Sequence, residues 1–315
     1  MQKVKLQFKI LFLFSVLCFL SFFSLPVLAA VLYLEPSDGE YQPGDSFSVK
    51  IKLDTEGECI NAVEANLNFS KNVLKAIDFS RGESILSLWI KSPEINQEKG
   101  EISFSGGIPG GYCGRIPGDP GASNLLGKII FGVPGMMVQE SGENTAEIKF
   151  SDNSQALLND GLGTPAKLTF QGATFKILSK GESLKEEWKE ELIKDKVPPE
   201  PFAMGIQKDP AIFDGKYFIV FSTTDKQTGI DYYEISETRD NGQEKWKKSE
   251  SPYLLEDQNL KSIIKVRAID KAGNERIAEY APPKESFLRS YWKIIILILF
   301  LIGGIVWLCW KFRKK

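Results

Sequence analysis

The chain has 315 residues, 43% hydrophobic and 25% charged, with no histidine. That balance suits two folded domains plus appendages and excludes wholesale disorder; the missing histidine excludes Ser-His-Asp and Cys-His units and His-ligated zinc or iron sites. The net charge of −2 conceals a segregation: nine of the 39 basic residues lie in 1–30 and 289–315, which hold no acid, so the stretch between carries 30 basic against 41 acidic residues, a net of −11, and nucleic acid is a disfavoured partner.

Residues 1–30 read as a secretory signal peptide. Lys3, Lys5 and Lys9 form a basic start, Ile10 to Leu25 is almost unbroken apolar sequence, and Pro26-Val27-Leu28-Ala29-Ala30 offers cleavage after Ala29 or Ala30. The alternative is a retained, uncleaved anchor.

Residues 31–178 alternate with period two. Phe47, Val49, Ile51 and Leu53 share one face, as do Val63, Ala65, Leu67 and Phe69. Ile102/Phe104, Ala146/Ile148/Phe150 and Leu168/Phe170 repeat the pattern, and Ile129-Ile130-Phe131 suits a more buried strand. Turn signals at Pro43-Gly44, Gly106-Gly107, Pro134-Gly135 and Asp160-Gly161 separate them, which predicts an all-β antiparallel sandwich. The helical hints are short, around Ser84 to Trp89.

Four cysteines are present. Cys18 lies in the signal segment and Cys309 in the apolar C-terminal run, so Cys59 and Cys113 remain as the pair an oxidising compartment would join. A reactive thiol pair is the alternative, but the spacing and neighbours such pairs use are missing.

Residues 179–196 change character. Leu184, Trp188 and Leu192 fall at i, i+4, i+8, with Glu–Lys pairs at helical spacing. Pro198-Pro199 ends the stretch. It reads as a charged linker helix, with a partner-binding helix as the alternative. Residues 197–283 then form a second β unit, with Tyr217/Ile219/Phe221, Asp231 to Ile235 and Ile264/Val266/Ala268 as strands. Its size suits a seven-strand immunoglobulin-like sandwich.

Residues 291–310 read as a transmembrane helix, since Ile294 to Trp310 is uncharged and mostly aliphatic, with Trp292, Trp307 and Trp310 near its ends. A buried core helix is the alternative. Residues 311–315 form a basic tail assigned to the cytoplasm, no Leu-Pro-x-Thr-Gly sorting motif precedes the helix, and residues 31–288 are expected outside a single-pass membrane.

Candidate chemistry is sparse. Asp270-Lys271-Ala272-Gly273-Asn274 offers oxygens to calcium but reads as a hairpin turn. Asp152-Asn153-Ser154 and Asn159-Asp160-Gly161 lack EF-hand spacing. No pair of acids is spaced to suggest a glycosidase. No catalytic residue and no metal ligand is assigned on this chain. Direct sugar binding needs exposed aromatic platforms, for which Trp89 and Tyr112 are the candidates; both also suit packing, and the Tyr112 loop is shaped by Cys113.

The first domain resembles a cohesin module over nearly all of residues 31–178. Tyr41-Gln42-Pro43-Gly44-Asp45-Ser46-Phe47-Ser48-Val49 looks like that family's opening strands. Val63 to Phe79, followed by Gly82, looks like its next segment, and Gly100 to Gly106 and Leu126 to Val133 look like its later core strands. Three features depart from it: Ser70-Lys71 stands where Asp-Pro is common, a Cys pair is not general in the family, and the Gly/Pro loop Gly106 to Gly121 is unusual. The resemblance implies a nine-strand jelly roll related to carbohydrate-binding modules. It also implies a non-catalytic role in which a sheet face binds a calcium-loaded dockerin module of another protein, often one acting on polysaccharide. Calcium would then sit on the partner. No family contact residue transfers, and direct polysaccharide binding or a purely structural envelope role are the alternatives. The second domain, through Asp225-x-x-x-Gly229-Ile230-Asp231-Tyr232-Tyr233-Glu234 and Ala268 to Asn274, resembles the immunoglobulin-like or fibronectin-like spacers of bacterial surface proteins. Oligomeric state stays open.

Overall fold

A computed structural model of the chain describes residues 29–114, 124–135, 144–179, 184–239, 242–282 and 287–313. The stretch through residue 28 expected to be a signal peptide, most of the Gly/Pro loop beyond residue 114 and the last two residues of the basic tail lie outside the described residues. The chain divides into two compact units. Among the described residues, the first takes in those up to Glu200 together with 224–231 and 270–274; the second takes in those within 201–223, 232–269 and from 275 onward.

The first unit is a two-sheet sandwich. Its strands are β1 Ala30–Glu35, β2 Asp38–Tyr41, β3 Ser46–Asp54, β4 Ile60–Phe69, β5 Lys75–Ser80 and β6 Leu88–Asn96, then β7 Glu101–Tyr112, β8 Leu125–Gly132, β9 Asn144–Phe150, β10 Gln155–Leu158, β11 Leu168–Gln171 and β12 Ala173–Ile177. One sheet has the order β11-β1-β3-β8-β5. The other has the order β2-β12-β9-β4-β7-β6, with β10 also paired to β4. The alternating residues do what their pattern predicts: Phe47, Val49, Ile51 and Leu53 are fully buried, and Val63, Ala65, Leu67, Phe104, Ile129, Phe131 and Ile148 join them in one core between the sheets.

Two details differ from the sequence reading. The sandwich is not wholly antiparallel: β1 runs parallel to β11, and β2 runs parallel to β12. The first and last stretches of the domain lie side by side and cross together from one sheet to the other. The second crossing passes through Gly172, where a Cβ would stand 2.5 Å from the Ile148 carbonyl oxygen, so backbone packing there leaves no room for a side chain. Period-two alternation identifies a strand but not its neighbour, so this arrangement was not readable. Nor is there a helix around Ser84 to Trp89. Ser84 Oγ instead donates to the Leu126 carbonyl at 2.7 Å and accepts from the Leu86 N–H at 3.1 Å, fastening a turn that feeds straight into β6.

The charged stretch contains α1, Glu187–Lys194, which packs on β3. The second unit holds two smaller sheets. Strands β13 Met204–Asp209, β14 Ile212–Phe221 and β17 Tyr253–Leu254 form one; β16 Lys247–Ser249, β15 Ile230–Thr238, β18 Ile263–Asp270 and β19 Glu275–Tyr280 form the other. Ile219, Phe221, Ile235, Leu255, Ile264 and Val266 are its core.

The C-terminal stretch forms α2, Phe287–Arg313. Among the described residues, no helix is long and apolar enough to cross a membrane. This finding overturns the transmembrane helix expected over 291–310 and the single-pass localisation built on it, with residues 31–288 outside and a cytoplasmic tail.

Candidate functional site

Three places in the first unit carry chemistry that a core does not need. The first is the edge strand β6. Leu88 is 57% exposed and Ile90 69% exposed, while Trp89 between them is half-buried and packed on the core. Trp89 lies edge-on to Phe79, with ring centroids 6.1 Å apart, and 5.8 Å from the Phe104 ring; the Arg81 guanidinium sits 4.7 Å from its centroid. Its faces are thus occupied by protein. Exposed Lys91, Ser92 and Glu94 follow in the strand, and the pairing to β7 shifts register on both sides of Lys91. Such irregularity with charge and Pro93 blunts an edge against strand addition, so side chains are what this edge presents.

The second is the far end of β7. Cys59 and Cys113 are joined in a disulfide with Cα atoms 4.0 Å apart. It lies where the pairing of β4 with β7 jumps from Ala62–Gly107 to Ile60–Tyr112, so the bond closes a bulge at the β7 end. Tyr112 is half-buried and packs against the core. Asn159 holds the same bulge by donating from Nδ2 to the Gly110 carbonyl at 3.0 Å.

The third is a set of buried acids that the sequence did not group. Asp195, Asp225 and Asp270 are 2%, 4% and 1% exposed, and one carboxylate oxygen from each lies within 4.8 Å of the others. Turns place them. Asp195 caps the end of α1, its N–H donating to the Glu191 carbonyl at 3.0 Å. Asp225 Oδ1 accepts from Gln227 N–H at 3.0 Å and Gly229 N–H at 2.8 Å. Gly229 has φ +85°, and a Cβ there would stand 2.7 Å from Gly82 N, so this loop requires glycine. Asp270 begins the expected hairpin turn, accepting from Asn274 N–H at 2.8 Å around Gly273 at φ +86°. Thr228 donates its hydroxyl to Asp195 Oδ2 at 2.6 Å, and Asn274 Nδ2 donates to Asp270 Oδ2 at 2.9 Å. Lys271, the next residue, is engaged by Asp78 at 2.5 Å.

Burial pushes the Asp225 carboxyl above its ordinary value; its backbone hydrogen bonds oppose this, and the negative charges of Asp195 and Asp270 add to it. These are the residues that could hold a metal ion. They would supply three of the six to eight oxygens a calcium ion takes. Reading Asp270 as a turn residue was right as far as it went. The missed signal is that Asp195 ends a helix while Asp225 and Asp270 each begin a turn.

No protein-family model and no curated protein matches the chain. Similar solved structures are cohesin modules. One is a type I cohesin in complex with a dockerin from Clostridium thermocellum, with 13% identity, 48% of this chain and 95% of that one covered, and a TM-score of 0.40. Another is the sixth cohesin of scaffoldin B from Acetivibrio cellulolyticus in complex with a dockerin mutant, with 14% identity, coverage of 48% and 100%, and a TM-score of 0.38. A third is a type I cohesin from Pseudobacteroides cellulosolvens, with 15% identity, coverage of 49% and 95%, and a TM-score of 0.37.

Proposed function

We propose that the first unit is a non-catalytic, cohesin-like binding module whose partner is a protein of the dockerin type, carrying its own calcium, and that the second unit is an immunoglobulin-like spacer. One observation carries the reading: on β6 the aliphatic side chains Leu88 and Ile90 face solvent, while the aromatic ring between them is spent on the core. An apolar pair rimmed by Lys91, Ser92 and Glu94 is what a protein interface uses. Stacking on sugar rings needs open aromatic faces. Trp89 has the Arg81 guanidinium over its ring, and Tyr112 packs against the core. The residues that resemble a cohesin support the same reading.

The test uses the full chain and purified, calcium-loaded dockerin modules. Leu88→Glu and Ile90→Lys, both on exposed positions, are expected to weaken capture at least tenfold with no loss of folding. Capture unchanged in both variants would overturn the assignment of this surface.

A further inference from the structure

Strand β8 is buried on both faces. Ile129 and Phe131 belong to the core between the sheets. Their neighbours Lys128 and Ile130 point the other way, toward what should be the solvated face of a two-sheet sandwich, yet they are only 5% and 0% exposed. Ser48, on the outer side of the neighbouring strand β3, is 8% exposed. Glu83 pairs with Lys128 at 3.1 Å, and a chain segment engages Ser48 and Lys128. Helix α1 packs on β3, and its Trp188 is 9% exposed. Glu191, one turn further on, accepts from Ser48 Oγ at 3.1 Å and from Lys128 Nζ at 3.2 Å.

The segment is fixed at its ends by different groups. Ser46 N–H donates to the Lys185 carbonyl at 2.8 Å, and Lys185 N–H donates to Asp45 Oδ1 at 2.8 Å. At the other end Asp195 is held by Thr228. The middle has little structure of its own. Helix α1 is eight residues long, and Glu186 supplies no side-chain cap. An isolated helix is marginal even at ~12–15 residues. Its helicity therefore comes from docking, so an undocked α1 is unfolded and the face beneath it is bare.

We propose that residues 184–195 form a strap: a tethered segment that is helical only while docked on β3, and whose release opens a helix-binding face that includes Ser48 and Lys128. The strap itself shows what the face accepts, a short helix with an aromatic side chain and a carboxylate one turn apart. The face lies on the other sheet from Leu88 and Ile90, so either assignment can fail without the other.

The test measures hydrogen exchange and peptide binding in the full chain. The probes are a labelled peptide of residues 184–196 and the same peptide with Trp188→Ala and Glu191→Lys. In the unmodified protein the amides of 187–194 should exchange at least tenfold faster than those of β8. In full-chain Trp188→Ala they should lose protection while β8 keeps it. That variant should bind the native peptide at least tenfold tighter than the unmodified protein does, and the altered peptide should not bind. If Trp188→Ala lowers β8 protection as well, Glu191→Lys, at a partly exposed position, is read by the same criteria. Protection in 187–194 that matches β8 in every form overturns the strap. Release without peptide binding overturns the helix-binding face.

Discussion

Trp89 stands edge-on to Phe79, the planes at 82° and the centroids 6.1 Å apart. This contact turns the largest side chain of β6 inward and leaves Leu88 and Ile90 outside. Truncating Trp89 should therefore read as a packing defect. Trp89→Ala is expected to cost about 3 kcal/mol, the lower end for core aromatics because the ring is only half-buried. Leu88→Glu should cost under about 0.5 kcal/mol. Denaturant unfolding measures both. Equal costs would mean that Leu88 belongs to the core.

The acids at 195, 225 and 270 give a pH signature. The Asp225 carboxyl is raised by burial and by its two acidic neighbours. A carboxyl raised on folding binds more protons folded than unfolded, so stability falls as pH rises from its unfolded value through its folded one. In excess chelator, Asp225→Asn keeps the oxygen that accepts from Gln227 and Gly229 and removes the charge. It should melt a few degrees higher than the parent at pH 7, and the gap should close as pH drops toward 4. Thermal melts across that range check it; a variant less stable at every pH contradicts it.

Asp257 in the second unit works in the opposite sense. It is 6% exposed and accepts from Ser262 Oγ at 2.7 Å, Ser262 N–H at 2.8 Å, Lys261 N–H at 2.9 Å, Asn259 N–H at 3.1 Å and Arg239 at 2.8 Å. The Ser262 hydroxyl first, then Arg239 and the backbone donors, hold its carboxyl well below the usual range against the cost of burial. Its stabilisation is complete above the unfolded carboxyl value and is lost as pH falls through the folded one. Asp257→Ala should cost about 2–3 kcal/mol at pH 7 by stranding these donors, and the deficit should shrink in acid. Unfolding of the second unit followed by near-ultraviolet dichroism measures it.

The Cys59–Cys113 bond closes a 54-residue separation. Replacing both cysteines with serine should cost about 3–4 kcal/mol, with exchange rising first at residues 108–112, where β7 bulges from β4. Unchanged exchange there would mean that Asn159 and the Tyr112 packing hold the bulge alone.

The strands were legible because period-two burial is local. Phe47 to Leu53 and Val63 to Phe69 face the core as their alternation predicts. The apolar run Ile129-Ile130-Phe131 suggested a more buried strand, and all three residues are fully buried. The docking of α1 on β3 was not legible: the stripe Leu184, Trp188, Leu192 predicts a helix but not its docking place, and of the three only Trp188 is buried. Convergence of Asp195, Asp225 and Asp270 was hidden for the same reason, since they are far apart in sequence and meet only in the folded chain.

The central claim is tested most directly by titrating the full chain with purified dockerin modules, in calcium and again in chelator, with insoluble polysaccharide as a parallel ligand. Saturable binding to a dockerin that disappears in chelator, with no retention on polysaccharide, is the expected result. Retention on polysaccharide together with no binding to any dockerin would contradict it and make the first unit a sugar-binding module.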